Sequence, residues 1–234
     1  MGWSKKNGVW QLHREPGCLS YYDADNVRKY DASRIDRLWD LGPSGDANRH
    51  AKQDIVANMP TIVEADSDFN GHNSLVSGSG IWLYTGNFSA SMAQPVTIYV
   101  VGKPGASAVY ECFVDGLSTT AREAMFSHQN GTPMISAGAT LSGGISYKSQ
   151  KIVHCGVFDS ASSSQYTNSV TTPSSTGNAG AGVSAGITLL NDSSRTYPVL
   201  GKFAAAAIYK GIHDASTRSR VMRYLGDKYG IAIT

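Results

Sequence analysis

The residues whose types and spacing are best suited to chemistry are three carboxylates in the segment 64–68. Side chains of a strand alternate between its two faces, so Glu64, Asp66 and Asp68 would share one face if this segment is extended. Two carboxylates that flank one bond are the usual machinery of glycoside hydrolysis, one as the acid and one as the nucleophile or base. The spacing raises a glycan-active enzyme as one hypothesis, against the simpler interpretation of a solvated polar loop.

The same segment also begins like a calcium loop. Asp66, Asp68 and Asn70 stand at the first, third and fifth positions of a D-x-D-x-N-G pattern, and their oxygens suit calcium. The twelfth position is Ser77 where an EF-hand has glutamate, and no flanking helices are predicted. Two interpretations stay open, a sandwich-type calcium site that adds backbone carbonyls, or a plain Asn-Gly turn. No other cofactor is indicated.

Other catalytic and metal-binding signatures are missing from the sequence. The six histidines show neither H-x-H nor H-E-x-x-H spacing, which argues against a zinc site. His154 and Cys155 are adjacent on a predicted strand and would point to opposite faces, so they cannot form a nucleophile–base pair. No Gly-x-Ser-x-Gly and no Walker sequence occurs. We therefore expect a protein that is not an enzyme.

Several side chains are candidates for a carbohydrate platform. Trp82 and Tyr84 alternate on a predicted strand and would lie on one face, and Tyr147, Tyr166 and Asn168 add further rings and an amide. A sugar site needs an aromatic surface together with a few planar hydrogen-bonding groups. The competing interpretation places these rings in the core, where the aromatic residues of a sandwich commonly lie.

The composition is that of a turn-rich β-protein of modest charge. The 234 residues include 25 glycines, 16% are charged, and the formal net charge is +2. This charge is too small to indicate a nucleic-acid partner, and no apolar run is long enough to insert into a membrane.

Cys18, Cys112 and Cys155 have no metal-like spacing and are expected to be free thiols. The first residues hold no apolar signal core, which favours assembly in the cytosol.

The elements that would position these residues are short strands followed by one helix. Ile145–Tyr147 is among the strand predictions, which are separated by turn signals. Phe203–Tyr209 is apolar on both faces, as in a strand buried between two layers. It leads into a predicted helix that is capped by Asp214 or Ser216 and ends at Gly230.

Blocks at both ends of the chain resemble the concanavalin A-like jelly rolls of the laminin-G type. The end of the chain is similar to that family's closing strand, short helix and "YL-x-x-KYGI", and the beginning is similar to its "YDAS … W-x-D-x-SG-N-x-A-x-Q … P" opening. The matching residues are Ala205–Tyr209, Tyr224–Ile231, Tyr30–Ser33, Leu38–Gly45, Asn48–Gln53 and Pro60-Thr61, with a weaker match at His154–Asp159 and Tyr166–Asn168.

The resemblance implies an all-β concanavalin A-like β-sandwich (jelly roll) with a short C-terminal helix. The sandwich would occupy residues 21–234 and follow an N-terminal arm of residues 1–20, which either folds back on the domain or docks onto a neighbouring subunit through Trp3 and Trp10. Relatives of this type occur in bacterial surface proteins and in bacteriophage structural proteins. The implied role is a non-enzymatic, homo-oligomeric virion component in a capsid decoration, head fibre or tail, with other virion proteins and host surface glycans as partners.

Two alternatives remain beside the virion interpretation. One is a carbohydrate-binding module of a bacterial surface protein. The other is a divergent glycan-active hydrolase or lyase, because glycosidases of this fold carry Glu-x-Asp-x-x-Glu on one strand. In this chain Phe69 stands where the last glutamate of that pattern would follow Glu64, so the retaining pair is not completed.

Overall fold

A computed structural model describes residues 11–120 and 122–234 of the chain. These residues form sixteen strands, five short 3-10 helices and one α-helix. The elements are β1 (Cys18–Lys29), β2 (Ile35–Asp40), β3 (Ala51–Lys52), β4 (Thr61–Asp66), β5 (His72–Val76), β6 (Leu83–Tyr84), β7 (Val96–Lys103), β8 (Glu111–Gly116), β9 (Ala124–Ser127), β10 (Pro133–Ser136), β11 (Thr140–Ser142), β12 (Ile152–Phe158), β13 (Ser163–Thr167), β14 (Ser175–Gly177), β15 (Ile187–Leu189), β16 (Lys202–Lys210) and α1 (Ala215–Tyr229).

The strands form one antiparallel sheet that folds over on itself into a sandwich. Its hydrogen-bonded order is β11-β10-β9-β8-β15-β6-β3-β2-β1-β16-β7-β12-β13-β14, with β5 beside β16 and β4 beside β5. We call the part from β11 to β2 the front sheet and the part from β1 to β14 the back sheet. Leu38 and Leu189 of the front sheet share one buried cluster with Ile98 and Ala206 of the back sheet. The predicted all-β sandwich is therefore confirmed.

The back sheet is covered on its outer face by α1. Along β16, Ala206 and Ile208 belong to the core between the sheets, whereas Ala207 and Tyr209 belong to a second cluster with the helix. A strand that is apolar on both faces fits this middle layer, since each face is buried against a different partner. The helix contributes its stripe at helical spacing: Val221, Met222, Leu225 and Tyr229.

The ends of α1 follow the predicted capping signals. The Asp214 carboxylate accepts a hydrogen bond from the backbone N–H of Thr217 at 2.7 Å, which satisfies one of the free donors of the first turn. Gly230 ends the helix in the left-handed conformation with a φ of 65°. The predicted helix and its limits are confirmed.

The described part of the N-terminal segment folds back onto the domain. Leu12 is buried in the cluster beneath α1, and its carbonyl oxygen accepts a hydrogen bond from the hydroxyl of Tyr209 at 3.2 Å. Glu15 pairs with Arg220 of α1 at 2.6 Å. Trp3 and Trp10, the predicted docking anchors, lie outside the described residues.

The strand assignments differ from the sequence predictions in both directions: one predicted strand does not form, and several observed ones, such as β1, β2 and β5, have no counterpart among the predictions. Ile145–Tyr147 is not a strand, because the backbone N–H of Tyr147 bonds to the carbonyl of Gly131 in a loop and makes no ladder. Conversely, β1 is the longest strand at twelve residues, although its mixed polar sequence shows no clean alternation. No helix of the described segments is long and apolar enough to cross a membrane.

Candidate functional site

A row of side chains crosses the outward face of the front sheet. The strand register pairs Arg37 with Lys52, Lys52 with Tyr84, Tyr84 with Thr188, and Thr188 with Asp115. Directly paired residues of antiparallel strands point to the same face of a sheet. Their neighbours along the strands lie in the core instead: Leu38, Ala51, Leu83, Leu189 and Val114. The row therefore faces away from the core.

The two rings of the predicted platform stand on this face, on either side of the buried Leu83. Trp82 and Tyr84 are both half-buried. The Tyr84 hydroxyl donates a hydrogen bond to the Asp54 carboxylate at 3.1 Å, and burial followed by this bond raises the pKa of Tyr84. The hydroxyl is therefore a neutral donor near pH 7. The Trp82 Nε1 atom is buried and has no hydrogen-bond partner among the described residues.

A loop of residues 191–197 covers the far end of the row. Its centre is the buried Asp192, whose carboxylate accepts hydrogen bonds from the backbone N–H groups of Thr196 and Tyr197 at 2.6 and 2.7 Å. These bonds fix a turn in which Arg195 adopts a φ of 66°. The Arg195 guanidinium lies over the ring of Trp82, 4.5 Å from its centroid. The loop thus presents Arg195 and Tyr197 on the outward face.

A second arginine–tryptophan pair stands at the other end of the row. The Arg37 guanidinium lies 5.2 Å from the centroid of Trp39, and His50 packs edge-on against the same ring at 4.9 Å. The backbone N–H of Asp40 donates to Nδ1 of His50 at 3.1 Å, so the proton of the neutral imidazole is on Nε2.

Beside this pair lies a cleft of about 370 Å³, which we call the arginine cleft. Its lining combines two cations, an imidazole, an amide and small residues that leave it open: Arg37, Ala47, Asn48, His50, Lys52 and Gly86. Tyr84 neighbours it through its cross-strand partner Lys52. Guanidinium, ammonium and amide groups beside an aromatic surface are suited to bind hydroxyl and anionic groups of a ligand.

Another cleft of about 180 Å³, the tyrosine cleft, lies beyond the 191–197 loop on the same face. Its lining is mainly aromatic and apolar: Tyr110, Arg122, Phe126, Met134, Ser136, Thr140 and Tyr197. The rings of Tyr110 and Tyr197 are 5.4 Å apart, and Arg122 is held by a bidentate ion pair with Asp115 at 2.8 and 2.9 Å. The loop therefore separates a basic cleft from an aromatic one.

The remaining platform candidates lie away from the front sheet. Tyr166 packs beneath α1, where the guanidinium of Arg218 lies 3.8 Å from its ring centroid. The side chain of Asn168 is occupied by the backbone, accepting from Val153 at 2.7 Å and donating to Lys151 at 3.0 Å. Tyr147 and Asn168 line a separate cleft of about 400 Å³ near the C-terminus. The predicted set is therefore divided between two places: Trp82 and Tyr84 on the front sheet, and Tyr147 and Asn168 at the cleft near the C-terminus.

The calcium candidates are engaged by lysines. Lys202 Nζ lies 2.8 Å from a carboxylate oxygen of both Asp66 and Asp68, and Lys103 Nζ lies 2.8 Å from Asp68. The side-chain amide of Asn70 donates a hydrogen bond to the carbonyl of Lys228. Two ammonium groups thus supply the positive charge that a cation would bring. Within the described segments no group of three or more His, Cys, Asp or Glu could hold a metal ion.

The four glutamates do not converge on the clefts. Glu64 is exposed and pairs with Lys29 at 2.7 Å, and Glu15 pairs with α1. Glu111 accepts hydrogen bonds from the backbone of Gly105 and Leu200, which ties two loops together. Glu123 is fully buried, and this burial raises its pKa to about 8. Neither the arginine cleft nor the tyrosine cleft is lined by a glutamate.

Comparison with solved structures places the chain among β-sandwich domains. It aligns with an arabinofuranosidase complexed with arabinofuranosyl-α-1,2-xylobiose at a TM-score of 0.64 and 13% identity over 92% of this chain. It aligns with the Trypanosoma rangeli sialidase in complex with sialic acid at a TM-score of 0.57 and 11% identity over 96% of this chain. The botulinum neurotoxin serotype D/C binding domain matches at 0.54 and 11% over 92%.

These likenesses show the shared fold. The chain spans 60%, 35% and 53% of the lengths of those three structures, respectively. No family model and no curated protein matches the chain.

Most of the outward face could not be identified from the sequence. Arg37 and Trp39 alternate on β2, and this pattern is the one local signal for the Arg37–Trp39 pair. Arg195 gives no such signal, because it reaches Trp82 from more than one hundred positions along the chain. The register across β2, β3, β6 and β15 brings these residues into one row.

Proposed function

We propose that this chain is a glycan-binding module that has no catalytic site of its own. The observation that carries the proposal is the outward face of the front sheet, where Trp82 and Tyr84 stand next to the arginine cleft. Aromatic rings of this kind offer an apolar surface to the face of a sugar ring, and the surrounding amide and cationic groups can bond its hydroxyls. Half-buried rings held by neighbours lose little side-chain freedom when a ligand binds.

The fold comparison supports a glycan as the ligand. Two of the solved structures with this fold are described as complexes with sugars, arabinofuranosyl-α-1,2-xylobiose and sialic acid. A shared fold hosts many functions, so glycan binding is inferred from the side chains of the front face and not from the similarity of the folds.

The absence of catalysis is proposed from the positions of the carboxylates. Glycoside hydrolysis needs two carboxyl groups across one bond, at separations of about 5 to 10 Å. In this chain the candidate acids Glu64 and Asp66 are paired with Lys29 and Lys202, on the back-sheet side of the molecule. Asp54, the acid nearest Tyr84, is exposed and paired with Lys52 at 2.9 Å. We therefore favour a binding module over a hydrolase or lyase.

A binding test with a matched control examines this proposal. The native protein should bind members of an array that holds arabino-oligosaccharides, sialylated glycans and acidic and neutral polysaccharides. Tyr84→Ala should weaken that binding up to about tenfold, since one ring contact is worth about 0.5–1.5 kcal/mol. Tyr30→Ala removes a 51% exposed tyrosine outside the row and should leave binding unchanged.

Two results would contradict the proposal. Binding that is insensitive to Tyr84→Ala would place the ligand elsewhere. Release of new reducing ends from any polysaccharide of the array, abolished in Glu64→Gln or Asp66→Asn, would show an enzyme instead.

We further propose that the module is a virion component that forms a homo-oligomer and docks to other virion proteins. This proposal is supported by the sequence blocks at the two ends of the chain, Tyr30–Ser33 and Tyr224–Ile231 among them. Display of many copies on a particle would make weak glycan binding effective, because linked sites act at a high local concentration.

A further inference from the structure

Two arginines of the front face make no ion pair with any described residue, unlike the other cations of that face. Lys52 pairs with Asp54 at 2.9 Å and Arg122 with Asp115 at 2.8 Å. Arg37 has a buried Nε atom without a hydrogen-bond partner. Among the described residues, Arg195 donates to the hydroxyl of Thr188 and to the carbonyl of Asp192. Both guanidinium groups therefore carry charge that the fold does not use in an ion pair.

The carboxylates nearest Arg195 are committed to other donors. Asp115 accepts both Arg122 bonds and the backbone N–H of Ser193 at 2.8 Å. Asp192 accepts the N–H groups that shape the 191–197 loop. These two acids make the electrostatic potential near Arg195 less positive, but neither forms an ion pair with it. The guanidinium of Arg195 therefore remains available to a ligand.

Stacking on tryptophan orients both guanidinium groups. The ring contacts the face of a guanidinium, so the N–H groups of its planar edge lie to the side and can still bond to other partners. Carboxylate and sulfate groups match that edge with two parallel hydrogen bonds. Since the stacks hold the side chains in place before binding, less rotamer entropy is lost when an anion is bound.

We propose that the glycan bound at this face is acidic, and that its anionic groups pair with Arg37 and Arg195. The inference rests on the proposed function and names the chemical class of its ligand. The shared chemistry is a sugar chain that bears carboxylate or sulfate groups.

The spacing of the two arginines sets the size of the ligand. Arg37 is three strands away from Thr188 along the row, which corresponds to about 14 Å at the usual strand separation. Arg195 Nη1 lies 3.4 Å from the hydroxyl of Thr188. This separation of the strand positions suits an oligosaccharide laid across the strands, with Tyr84 between its two anionic contacts, better than a single sugar.

A nucleic acid fits this face less well than an acidic glycan. Asp54 lies between the two arginines with a side chain that is 62% exposed, and it would repel a backbone that carries a charge at every nucleotide. The formal net charge of the chain is only +2. A glycan with widely spaced charges can pair with both arginines and pass Asp54 with a neutral segment.

The experiment compares acidic probes with neutral partners of the same backbone. Calorimetry or interferometry is carried out with two kinds of acidic probe whose charges are widely spaced, and with a single-stranded oligonucleotide. The acidic probes are hyaluronan oligosaccharides, which carry a carboxylate on every second sugar, and κ-carrageenan oligosaccharides, which carry a sulfate on every second sugar. Their neutral partners are the carboxyl-reduced and the desulfated forms, respectively. The variants are Arg37→Gln, Arg195→Gln and Arg195→Lys, and the control is Arg223→Gln, an exposed arginine on α1 at the opposite side of the sandwich. Thermal unfolding establishes that each variant is folded.

We expect at least one acidic probe to bind about tenfold or more tightly than its neutral partner. Arg37→Gln and Arg195→Gln should each weaken that binding about tenfold and reduce its salt dependence, and Arg223→Gln should change neither. Arg195→Lys should restore part of the affinity, because it keeps the charge without the planar fork. The hyaluronan and κ-carrageenan arms distinguish carboxylate from sulfate as the source of the charge.

Several outcomes overturn the inference. Equal binding of acidic and neutral probes that still depends on Tyr84 refutes the acidic ligand and leaves the proposed function standing. An equal loss in Arg223→Gln shows general charge attraction. Arginine-dependent binding of the oligonucleotide assigns the face to nucleic acid, and binding to none of the probes refutes the acidic ligand outright.

Discussion

The front face is built from cations that rest on rings. Arg37 lies on Trp39 and Arg195 on Trp82, each within the distance of about 6 Å at which a cation is attracted by the ring. Each ring contacts a guanidinium without using its N–H groups. In Arg195 the Nη1 atom also donates to the hydroxyl of Thr188 and to the carbonyl of Asp192. Binding capacity is therefore held in side chains that the fold itself keeps in position.

The carboxylate of Glu123 is fully buried, and its hydrogen bonds make up for only part of the lost hydration. One carboxylate oxygen accepts the backbone N–H of Ser184 at 3.2 Å, and the other has no hydrogen-bond partner among the described residues. Burial raises its pKa from 4.5 to about 8. Because the folded-state pKa lies above the unfolded value, the stability from this group is present below about pH 4.5 and is lost as the pH rises to about 8.

We expect Glu123→Gln to be more stable than the native protein at pH 8, by on the order of 2–5 kcal/mol. The amide stays neutral at every pH, so the part of the stability loss between pH 4.5 and 8 that comes from this site should vanish. Urea unfolding at several pH values measures the effect, with the exposed Glu64→Gln as the control. Parallel pH profiles for native protein and Glu123→Gln would contradict the burial argument.

At the scale of elements, the molecule is organised by a loop and a helix. The 191–197 loop is fixed by Asp192 and determines where Arg195 and Tyr197 stand relative to the front sheet. The helix α1 closes the opposite side and is fastened at its C-terminal end by a polar cluster. One element shapes the candidate site, and the other stabilises the sheet on which it lies.

The cluster at the end of α1 is centred on Asp23 of β1. This buried carboxylate accepts hydrogen bonds from the hydroxyls of Tyr21 and Tyr229 at 2.6 and 3.1 Å and pairs with Lys228. Lys228 also lies 3.3 Å from Asp25. Two consecutive residues of the closing "KYG" segment thus hold the strand that begins the sandwich.

We expect Asp23→Ala to lower the free energy of unfolding by about 3–5 kcal/mol, because it leaves two buried hydroxyls without their acceptor and removes the nearer of the two carboxylates that face Lys228. Asp227→Ala, an exposed change one residue before Lys228, should cost under about 0.5 kcal/mol. Chemical denaturation followed by far-UV circular dichroism measures both. Equal costs for the two variants would show that the cluster does not fasten the helix.

At the scale of the whole molecule, the front and back sheets differ in how far their outer faces are covered. The back sheet buries both of its faces, one against the core and one against α1. Among the residues that the structure describes, the 191–197 loop is the cover on the outer face of the front sheet, and this face carries the arginine and tyrosine clefts. The segment at residues 11–15 lies on the α1 side, opposite these clefts.

We expect a variant that lacks residues 1–10 to keep its fold and its glycan binding but to lose incorporation into particles. The contacts of Leu12 and Glu15 with the domain remain in this variant, so the fold is not the reason for a loss. Co-sedimentation with virus particles assembled in the presence of each form of the chain, together with light scattering of the purified chain, provides the measurement. Normal incorporation would exclude Trp3 and Trp10 as anchors, and a monomer absent from particles would contradict the virion role.

The sequence by itself determined the fold class and the last two elements of the chain, β16 and α1. The doubly apolar pattern of Phe203–Tyr209 and the caps at Asp214 and Gly230 predicted β16 and α1, because each signal is local and acts within a few residues. The alternation of Trp82 and Tyr84 around Leu83 likewise predicted that the two rings share a face.

Only the tertiary structure decided what stands beside those rings. The strand Ile145–Tyr147 failed as a prediction because no partner strand reaches it, and the acids at 66 and 68 became ion-pair partners of Lys202 from a distant strand. Arg195 meets Trp82 through the order of the strands in the sheet and the turn around Asp192. A side chain's own pattern fixes its face, but pairing across the sheet fixes its neighbours, and the candidate site consists of neighbours.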